Sequence, residues 1–219
     1  MIINLNGVDI FYKQSGSGHP LLLLHGFDLD HSIFDELTEK LKKHYTVYAM
    51  DTRSHGQSSK TAEYSYTAMA NDVYGLINSL NLGKVYLLGF SDGAVISLHL
   101  ALMHPEVLEK VAFLGLNLKS DDMREKYLRY FEARYKETGD FRYQLALVEP
   151  HIETDTLNKI TIPTLLMAAE FEMFREGLFE EMAAAFPNLH TAKIMQGHKH
   201  ESYMVHNDLL YPDLLDFFG

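Results

Sequence analysis

The chain has 219 residues, of which 47% are hydrophobic and 22% charged, values typical of a globular protein rather than a disordered or fibrous one. Its 19 basic and 30 acidic side chains give a net charge of −11, which disfavours binding to nucleic acid or to anionic membrane surfaces. Cysteine is absent, so disulfides, thiolate metal ligands and a cysteine nucleophile are excluded. This length predicts one domain.

The first residues have neither the basic flank nor the long apolar segment of a signal peptide. No apolar run approaches the roughly 20 residues that a membrane helix needs. We therefore expect a cytoplasmic protein without a membrane partner, and no pattern in the sequence specifies its oligomeric state.

Short apolar runs predict eight strands. The first two flank Asn6-Gly7, a dipeptide that accepts the positive φ values of a tight hairpin turn. The third, Leu21–Leu24, is apolar at every position, as expected of a strand covered on both faces. The predicted strands are residues 2–5, 8–13, 21–24, 46–50, 84–89, 111–116, 164–168 and 191–195.

Segments with helical periodicity alternate with these strands. Ser65 or Thr67 can cap the second helix, and His104-Pro105 ends the third. The predicted helices are residues 33–41, 66–80, 94–103, 174–185 and 208–218. This alternation predicts the α/β class: a mostly parallel central sheet with helices on both faces, preceded by an N-terminal antiparallel hairpin.

Residues 119–160 interrupt the alternation, and they are unusually charged and aromatic. The side chains Met123, Tyr127, Tyr130, Phe131 and Arg134 follow helical spacing and predict one apolar helical face. This segment is either an ordinary crossover helix or a short helical lid. We expect a small cap over a core formed by residues 1–118 and 161–219.

Gly89-Phe90-Ser91-Asp92-Gly93 places a serine between two glycines, directly after a predicted strand and before a predicted helix. The glycines avoid Cβ clashes while the chain turns sharply and exposes the serine hydroxyl. The first N–H of the helix, on Asp92, can stabilise a developing oxyanion. This arrangement suits a nucleophilic serine, whereas the simpler interpretation is a glycine-lined turn with a capping serine.

Together with this turn, two further segments resemble motifs of the α/β-hydrolase superfamily. Leu24-His25-Gly26-Phe27 resembles the family's oxyanion loop, and residues 51–58 (DTRSHGQS) resemble its Asp-x-Arg-Gly-x-Gly-x-Ser turn, with Ser54 at the usual glycine. The resemblance covers nearly the whole chain and implies the α/β-hydrolase fold of a small esterase-like serine hydrolase. It also implies an oxyanion hole formed by the N–H groups of Phe27 and Asp92, with His25 shaping the loop and contributing to the substrate-binding site.

The family order of serine, acid and histidine directs the search for an acid to the end of a late strand. Ala168-Ala169-Glu170-Phe171-Glu172 resembles the family's Gly-Glu-x-Asp segment and places Glu172 at the acid, with one methylene more than aspartate. Glu170 is the nearest alternative, and Asp121 or Asp122 is a third.

For the base, residues 200–203 (HESY) resemble the family's His-x-Ser-Tyr and favour His200, while His198 directly follows Gly197 and is the alternative. The His198–His200 pair also resembles a metal site, but no third ligand has a recognisable spacing, so we expect no metal. Gly16-Ser17-Gly18 lacks the helix of a dinucleotide fingerprint, so no cofactor is expected.

These residues predict a serine hydrolase of the carboxylesterase type that cleaves an ester or related acyl bond through an acyl-enzyme. The expected substrate is a small to medium, mainly apolar molecule, with Tyr127, Tyr130 and Phe131 lining its pocket. Hydrolysis of a carbon–carbon bond, cofactor-free lyase activity, or ligand binding without turnover are compatible with the same residues.

Overall fold

A computed structural model describes all residues, Met1–Gly219, and contains one eight-stranded sheet. The strands are β1 (Ile2–Leu5), β2 (Val8–Gly16), β3 (His19–Leu24), β4 (Tyr45–Met50), β5 (Val85–Phe90), β6 (Leu108–Leu114), β7 (Thr164–Phe171) and β8 (Leu189–Lys199). The α-helices are α1 (Asp35–Leu41), α2 (Tyr66–Ser79), α3 (Asp92–Met103), α4 (Glu125–Thr138), α5 (Phe141–Val148), α6 (Leu178–Ala185) and α7 (Tyr211–Phe218).

The strand order in the sheet is β1-β2-β4-β3-β5-β6-β7-β8. The pairs β1–β2 and β2–β4 are antiparallel, and every other neighbouring pair is parallel. The prediction of a mostly parallel sheet with an antiparallel N-terminal hairpin is therefore confirmed. Since β5 lies in the middle of this sheet, the residue that follows it emerges at the carboxyl edge, where parallel α/β sheets place their ligands.

Both faces of the sheet are covered by helices, as the uninterrupted apolar run of β3 predicts. Leu22 and Leu24 pack into a core that also contains side chains of α2 and α3, such as Val73. Their neighbours Leu21 and Leu23 pack into a second core on the opposite face, with side chains of α1 and α7. The alternation follows from the two-residue repeat of a strand.

Several element boundaries differ from the predicted ones. The helix predicted over 174–185 begins at Leu178, because Phe174 pairs with Met123 and Gly177 (φ 80°) precedes the helix in a left-handed conformation. The last strand continues to Lys199 rather than ending at Met195. This extension carries the chain to the edge of the sheet at which β5 ends.

Residues 119–160 form two α-helices, α4 and α5, where the spacing predicted one helical face. Met123 precedes α4, and Tyr130 is 54% exposed, so the predicted face is only partly correct. Phe131 is the buried side chain of α4. Gly139, with φ 66°, ends α4 and allows the chain to turn into α5.

A buried ion pair fixes the loop that follows β4. Arg53 donates two hydrogen bonds to Asp72 of α2, from Nε at 2.7 Å and from Nη2 at 2.8 Å. Both side chains are nearly inaccessible to solvent, so the charge of Asp72 depends on Arg53 for compensation, while Arg53 also lies 3.6 Å from Glu63 Oε2.

None of the helices has the length and hydropathy needed to cross a membrane.

Candidate active site

Ser91 lies at the turn between β5 and α3 with φ 55° and ψ −118°, a left-handed backbone conformation that is unfavourable for a serine. Its N–H donates to Leu114 O at 2.8 Å, which holds the turn against β6. A Cβ on Gly93 would lie 2.1 Å from Leu24 O, and one on Gly89 would lie 2.2 Å from Gly93 O. The turn therefore requires glycine on both sides of the serine.

His200 follows the end of β8 and lies between Ser91 and Glu172. Its Nε2 is 2.9 Å from Ser91 Oγ, and its Nδ1 is 2.5 Å from Glu172 Oε2. Because the carboxylate can only accept, Nδ1 carries the proton and Nε2 is free to accept one from the serine hydroxyl. These side chains form a continuous chain of hydrogen bonds from a carboxylate to a hydroxyl.

Glu172 directly follows β7, and two backbone N–H groups hold its carboxylate in addition to His200. Its Oε1 accepts from the Ala169 N–H at 2.9 Å, and its Oε2 accepts from the Met173 N–H at 3.2 Å. Burial acts to raise the pKa of Glu172, but the hydrogen bond and charge of His200 and these two N–H groups outweigh it and lower the pKa. The carboxylate is therefore ionised at neutral pH.

The alternative acid and base have other partners. Glu170, an exposed residue of β7, accepts a hydrogen bond from the Gly197 N–H of β8 at 2.6 Å. His198 Nδ1 lies 3.1 Å from Ser202 Oγ. Asp122 accepts from the backbone N–H groups of residues 118 and 119, and Asp121 is exposed. The structure therefore brings Glu172 and His200 to Ser91, and none of the alternatives.

A cavity of about 960 Å³ opens over this group. Ser91 and His200 lie in its wall, and the carboxyl end of the sheet faces residues of α4 and α5 across it. The lining includes the three aromatic residues expected from the sequence, and Phe27. It also includes residues that no sequence pattern indicated: Tyr66, Asn117, Tyr143, Glu149, Met173 and Phe174.

Comparison with known proteins agrees with this architecture. A family model described as the alpha/beta hydrolase fold matches residues 19–144, more than half of the chain. The chain belongs to the alpha/beta hydrolase fold family. Among sequence relatives, the AB hydrolase superfamily protein YisY of Bacillus subtilis is 35% identical over 99 residues, which are 44% of this chain and 37% of that protein. This match thus spans well under half the length of the relative.

Solved structures resemble the whole chain of this α/β-hydrolase-fold protein. A thermophilic esterase from Thermogutta terrifontis superimposes with a TM-score of 0.83 at 20% identity, covering 100% of this chain and 97% of the esterase. Est816, described as an N-acyl homoserine lactone degrading enzyme, superimposes with a TM-score of 0.84 at 22% identity, covering 100% of both chains. At these identities the likeness shows the fold.

In this α/β-hydrolase fold the loop after β3 carries Phe27 to the cavity wall. The Phe27 N–H has no acceptor within the protein. His25, by contrast, is 1% exposed and does not line the cavity. Its Nδ1 donates to Gly26 O at 2.8 Å and its Nε2 accepts from the Thr52 N–H at 3.0 Å. This burial differs from the expectation that His25 contacts the substrate and leaves it a role in supporting the loop.

His55 supports the same loop from the residue 51–58 turn. Its Nε2 accepts from the Asp28 N–H at 3.3 Å, and its Nδ1 lies 3.0 Å from Thr52 Oγ1 and 3.3 Å from Arg53 O. Burial, with the charges of His25 and Arg142, lowers the pKa of His55 to about 3. His55 is therefore neutral at neutral pH, with its proton on Nδ1.

We expect His55→Gln to flatten the acid dependence of stability. Between the ordinary histidine pKa of about 6.5 and the folded value of about 3, the unfolded chain binds a proton that the folded chain does not. His55 therefore lowers the free energy of unfolding as the pH falls, by about 2 kcal/mol between pH 7 and pH 5. Urea titrations at pH 7, 6 and 5 measure this loss, with the exposed His151→Gln as control. Equal losses in both variants would show that His55 is not the titrating group.

Asp30, His31 and Asp51 are close enough together to suggest a metal site. However, Asp51 Oδ1 already accepts from the His31 N–H at 2.7 Å and lies 2.8 Å from its Nδ1, and Asp51 Oδ2 accepts from the Gln57 N–H at 2.8 Å. These bonds hold the residue 51–58 turn to the segment before α1. These hydrogen bonds account for the position of the Asp51 carboxylate without a metal ion.

Proposed function

We propose that this chain is a serine hydrolase that cleaves a carboxylic ester or a related acyl bond. One observation carries the proposal: Ser91 Oγ, His200 and Glu172 form a hydrogen-bonded chain whose serine opens into a cavity. A serine hydroxyl is a weak nucleophile until a positioned base takes its proton, and this geometry supplies the base and a carboxylate that orients it. Esterase and lactone-degrading proteins among the structural neighbours favour an acyl bond.

In this mechanism Ser91 Oγ attacks the carbonyl carbon of the substrate while His200 Nε2 takes the hydroxyl proton. Glu172 holds the imidazole in the required tautomer and stabilises its positive charge. The tetrahedral intermediate collapses to an acyl-enzyme when His200 donates the proton to the leaving alcohol. Water, activated by the same histidine, then attacks the acyl-enzyme and regenerates the serine.

The oxyanion of the intermediate is stabilised by the N–H groups of Phe27 and Asp92. The Phe27 N–H is unpaired within the protein, and Asp92 is the first residue of α3, where N–H groups have no partners in the helix. Donors of this kind contribute about 3 kcal/mol of transition-state stabilisation in comparable enzymes.

Residues 119–160 act as a small cap that determines which substrates fit. Tyr127, Phe131 and Tyr143 line the same cavity as the serine, and Phe27 packs against two of them, with ring centroids 5.2 Å from Phe131 and 4.9 Å from Tyr143. A cavity of this size with an apolar majority suits small to medium acyl or aryl groups.

Reaction with a fluorophosphonate tests the activated serine. We expect the wild-type protein to gain the mass of one adduct, and Ser91→Ala to gain none. His200→Ala should react roughly 1,000-fold more slowly, since the base is lost, while His198→Ala should react at the wild-type rate. Intact-protein mass spectrometry over time measures all four. A wild-type protein that forms no adduct would instead support a ligand-binding role without turnover.

A further inference from the structure

The side chain of Asp92 is a charge in the cavity wall that the mechanism above does not use. Asp92 directly follows Ser91, and its carboxylate is partly accessible through the cavity. Tyr66, which is almost fully buried, donates its O–H to Asp92 Oδ1 at 3.0 Å and holds the carboxylate in place. No protein donor contacts the other oxygen, and no lysine, arginine or histidine of the chain forms an ion pair with Asp92.

A second carboxylate without a cationic partner, that of Glu149, lies in the same cavity wall as Asp92. Glu149, at the end of α5, accepts from the Tyr66 N–H at 3.3 Å and lines the same cavity without a cationic partner. The two lysines of the lining, Lys126 and Lys199, are exposed to solvent. The less exposed part of the cavity therefore carries two uncompensated carboxylates.

An unpaired carboxylate beside Ser91 opposes the proposed reaction. Negative charge develops on the substrate carbonyl oxygen close to Asp92, and like charges in a poorly solvated site repel each other. Burial raises the pKa of Asp92 to about 6, against the hydrogen bond from Tyr66 and the charge of His200. At neutral pH the group is therefore mostly ionised although it lacks a counter-charge. A cation brought by the substrate would compensate this carboxylate.

We propose that Asp92 is a specificity-determining residue that selects ester substrates carrying an ammonium group. The inference rests on the proposed ester hydrolysis and specifies its substrate class. The ammonium group binds the free carboxylate oxygen of Asp92, and the apolar part of the substrate packs on the aromatic cavity wall. Rings such as those of Tyr127, Phe131 and Tyr143 suit such a molecule, because aromatic faces attract cations as well as apolar groups.

Matched esters that differ only in charge test this inference. The first pair, β-alanyl and butanoyl 4-nitrophenyl esters, exchanges an ammonium for a methyl group in the acyl chain. The second pair, choline and 3,3-dimethylbutyl propanoates, makes the equivalent exchange in the alcohol. We expect kcat/KM of the wild-type protein to favour the cationic ester of one pair by about 30-fold, and the pair that shows it locates the ammonium relative to the scissile bond.

Asp92→Asn keeps the backbone N–H and an oxygen to accept from Tyr66, but it removes the charge. We expect this variant to lower the cationic preference, which is the ratio of kcat/KM for the two esters of the pair, to about threefold or less. Glu132→Gln, an exposed charge change on α4, should retain the full preference. A wild-type preference for the neutral ester in both pairs, or a cationic preference that survives in Asp92→Asn, would overturn the inference.

A direct binding measurement separates this inference from the proposed function. If none of the four esters is hydrolysed, the proposed ester hydrolysis has failed. Calorimetry with butylammonium and butanol then tests separately whether Asp92 makes the cavity prefer a cation. We expect butylammonium to bind the wild-type protein at least about tenfold more tightly than butanol, and this difference to disappear in Asp92→Asn. Equal affinities in the wild-type protein would show that the cavity does not select a cation.

Discussion

His200→Ala is expected to reduce kcat for ester hydrolysis by about 10⁶-fold, whereas His198→Ala should leave it within about threefold. The two histidines are two residues apart, but only His200 contacts Ser91, at 2.9 Å. His198 contacts Ser202 instead. Steady-state kinetics on a chromogenic ester measure both variants, and similar losses in the two would contradict the proposed base.

The acids offer a second matched comparison within the same prediction. Glu172 accepts three hydrogen bonds, from the N–H groups of Ala169 and Met173 and from His200 Nδ1. The amide of Glu172→Gln has one oxygen and one NH₂ group, so at least one of these donors must face another donor. We expect a loss of about 10²- to 10⁴-fold in kcat, because the imidazole loses its preferred tautomer. Glu170→Gln, whose native side chain bonds to Gly197 N–H, should lose less than about threefold.

Gly93→Ala is expected to destabilise the protein by about 4 kcal/mol or more. The added Cβ would lie 2.1 Å from Leu24 O and 2.8 Å from His25 O, so the start of α3 and the end of β3 would have to separate. Both of these oxygens belong to the backbone, so neither can move aside as the end of a flexible side chain could. Because β3 is a central strand of the sheet and α3 packs on the sheet, the two cannot separate locally to relieve the clash.

Gly75→Ala is the matched control for this substitution. Gly75 lies in the interior of α2, and an added Cβ would meet Leu5 Cδ2 at 3.4 Å, an ordinary contact distance. The removal of a helical glycine should stabilise the protein by about 0.5–1 kcal/mol. Urea denaturation followed by circular dichroism compares the two variants. A Gly93→Ala midpoint equal to that of the wild type would show that the turn tolerates a side chain.

The sheet itself was predictable from local patterns. Apolar runs such as Leu21–Leu24 indicate strands buried on both faces, and Asn6-Gly7 indicates the first hairpin. The family motifs were equally local, since the serine turn needs glycines at fixed offsets from Ser91. Errors occurred where long-range contacts decide the conformation, as at Phe174, which pairs with Met123 instead of starting a helix.

The roles of neighbouring acids and histidines depended on the tertiary structure. Glu170 and Glu172 are alike in chemistry, but Glu170 lies within β7 at the shift in its pairing with β8, and Glu172 directly follows the strand. The cavity wall also joins groups that lie far apart in sequence, such as Tyr66, whose O–H donates a hydrogen bond to Asp92. No local pattern encodes such contacts.

The α/β architecture, the serine turn and the chemical type of the groups around it follow from local sequence, because strand and turn preferences act over a few residues. The folded chain selects His200, rather than His198, as the partner of Ser91, and Glu172, rather than Glu170, as the partner of His200. The burial of His25 behind the loop that follows β3, and the position of Asp92 in the cavity wall, likewise depend on the folded chain. These outcomes depend on the register of distant strands and on burial, which the packing of the whole chain creates.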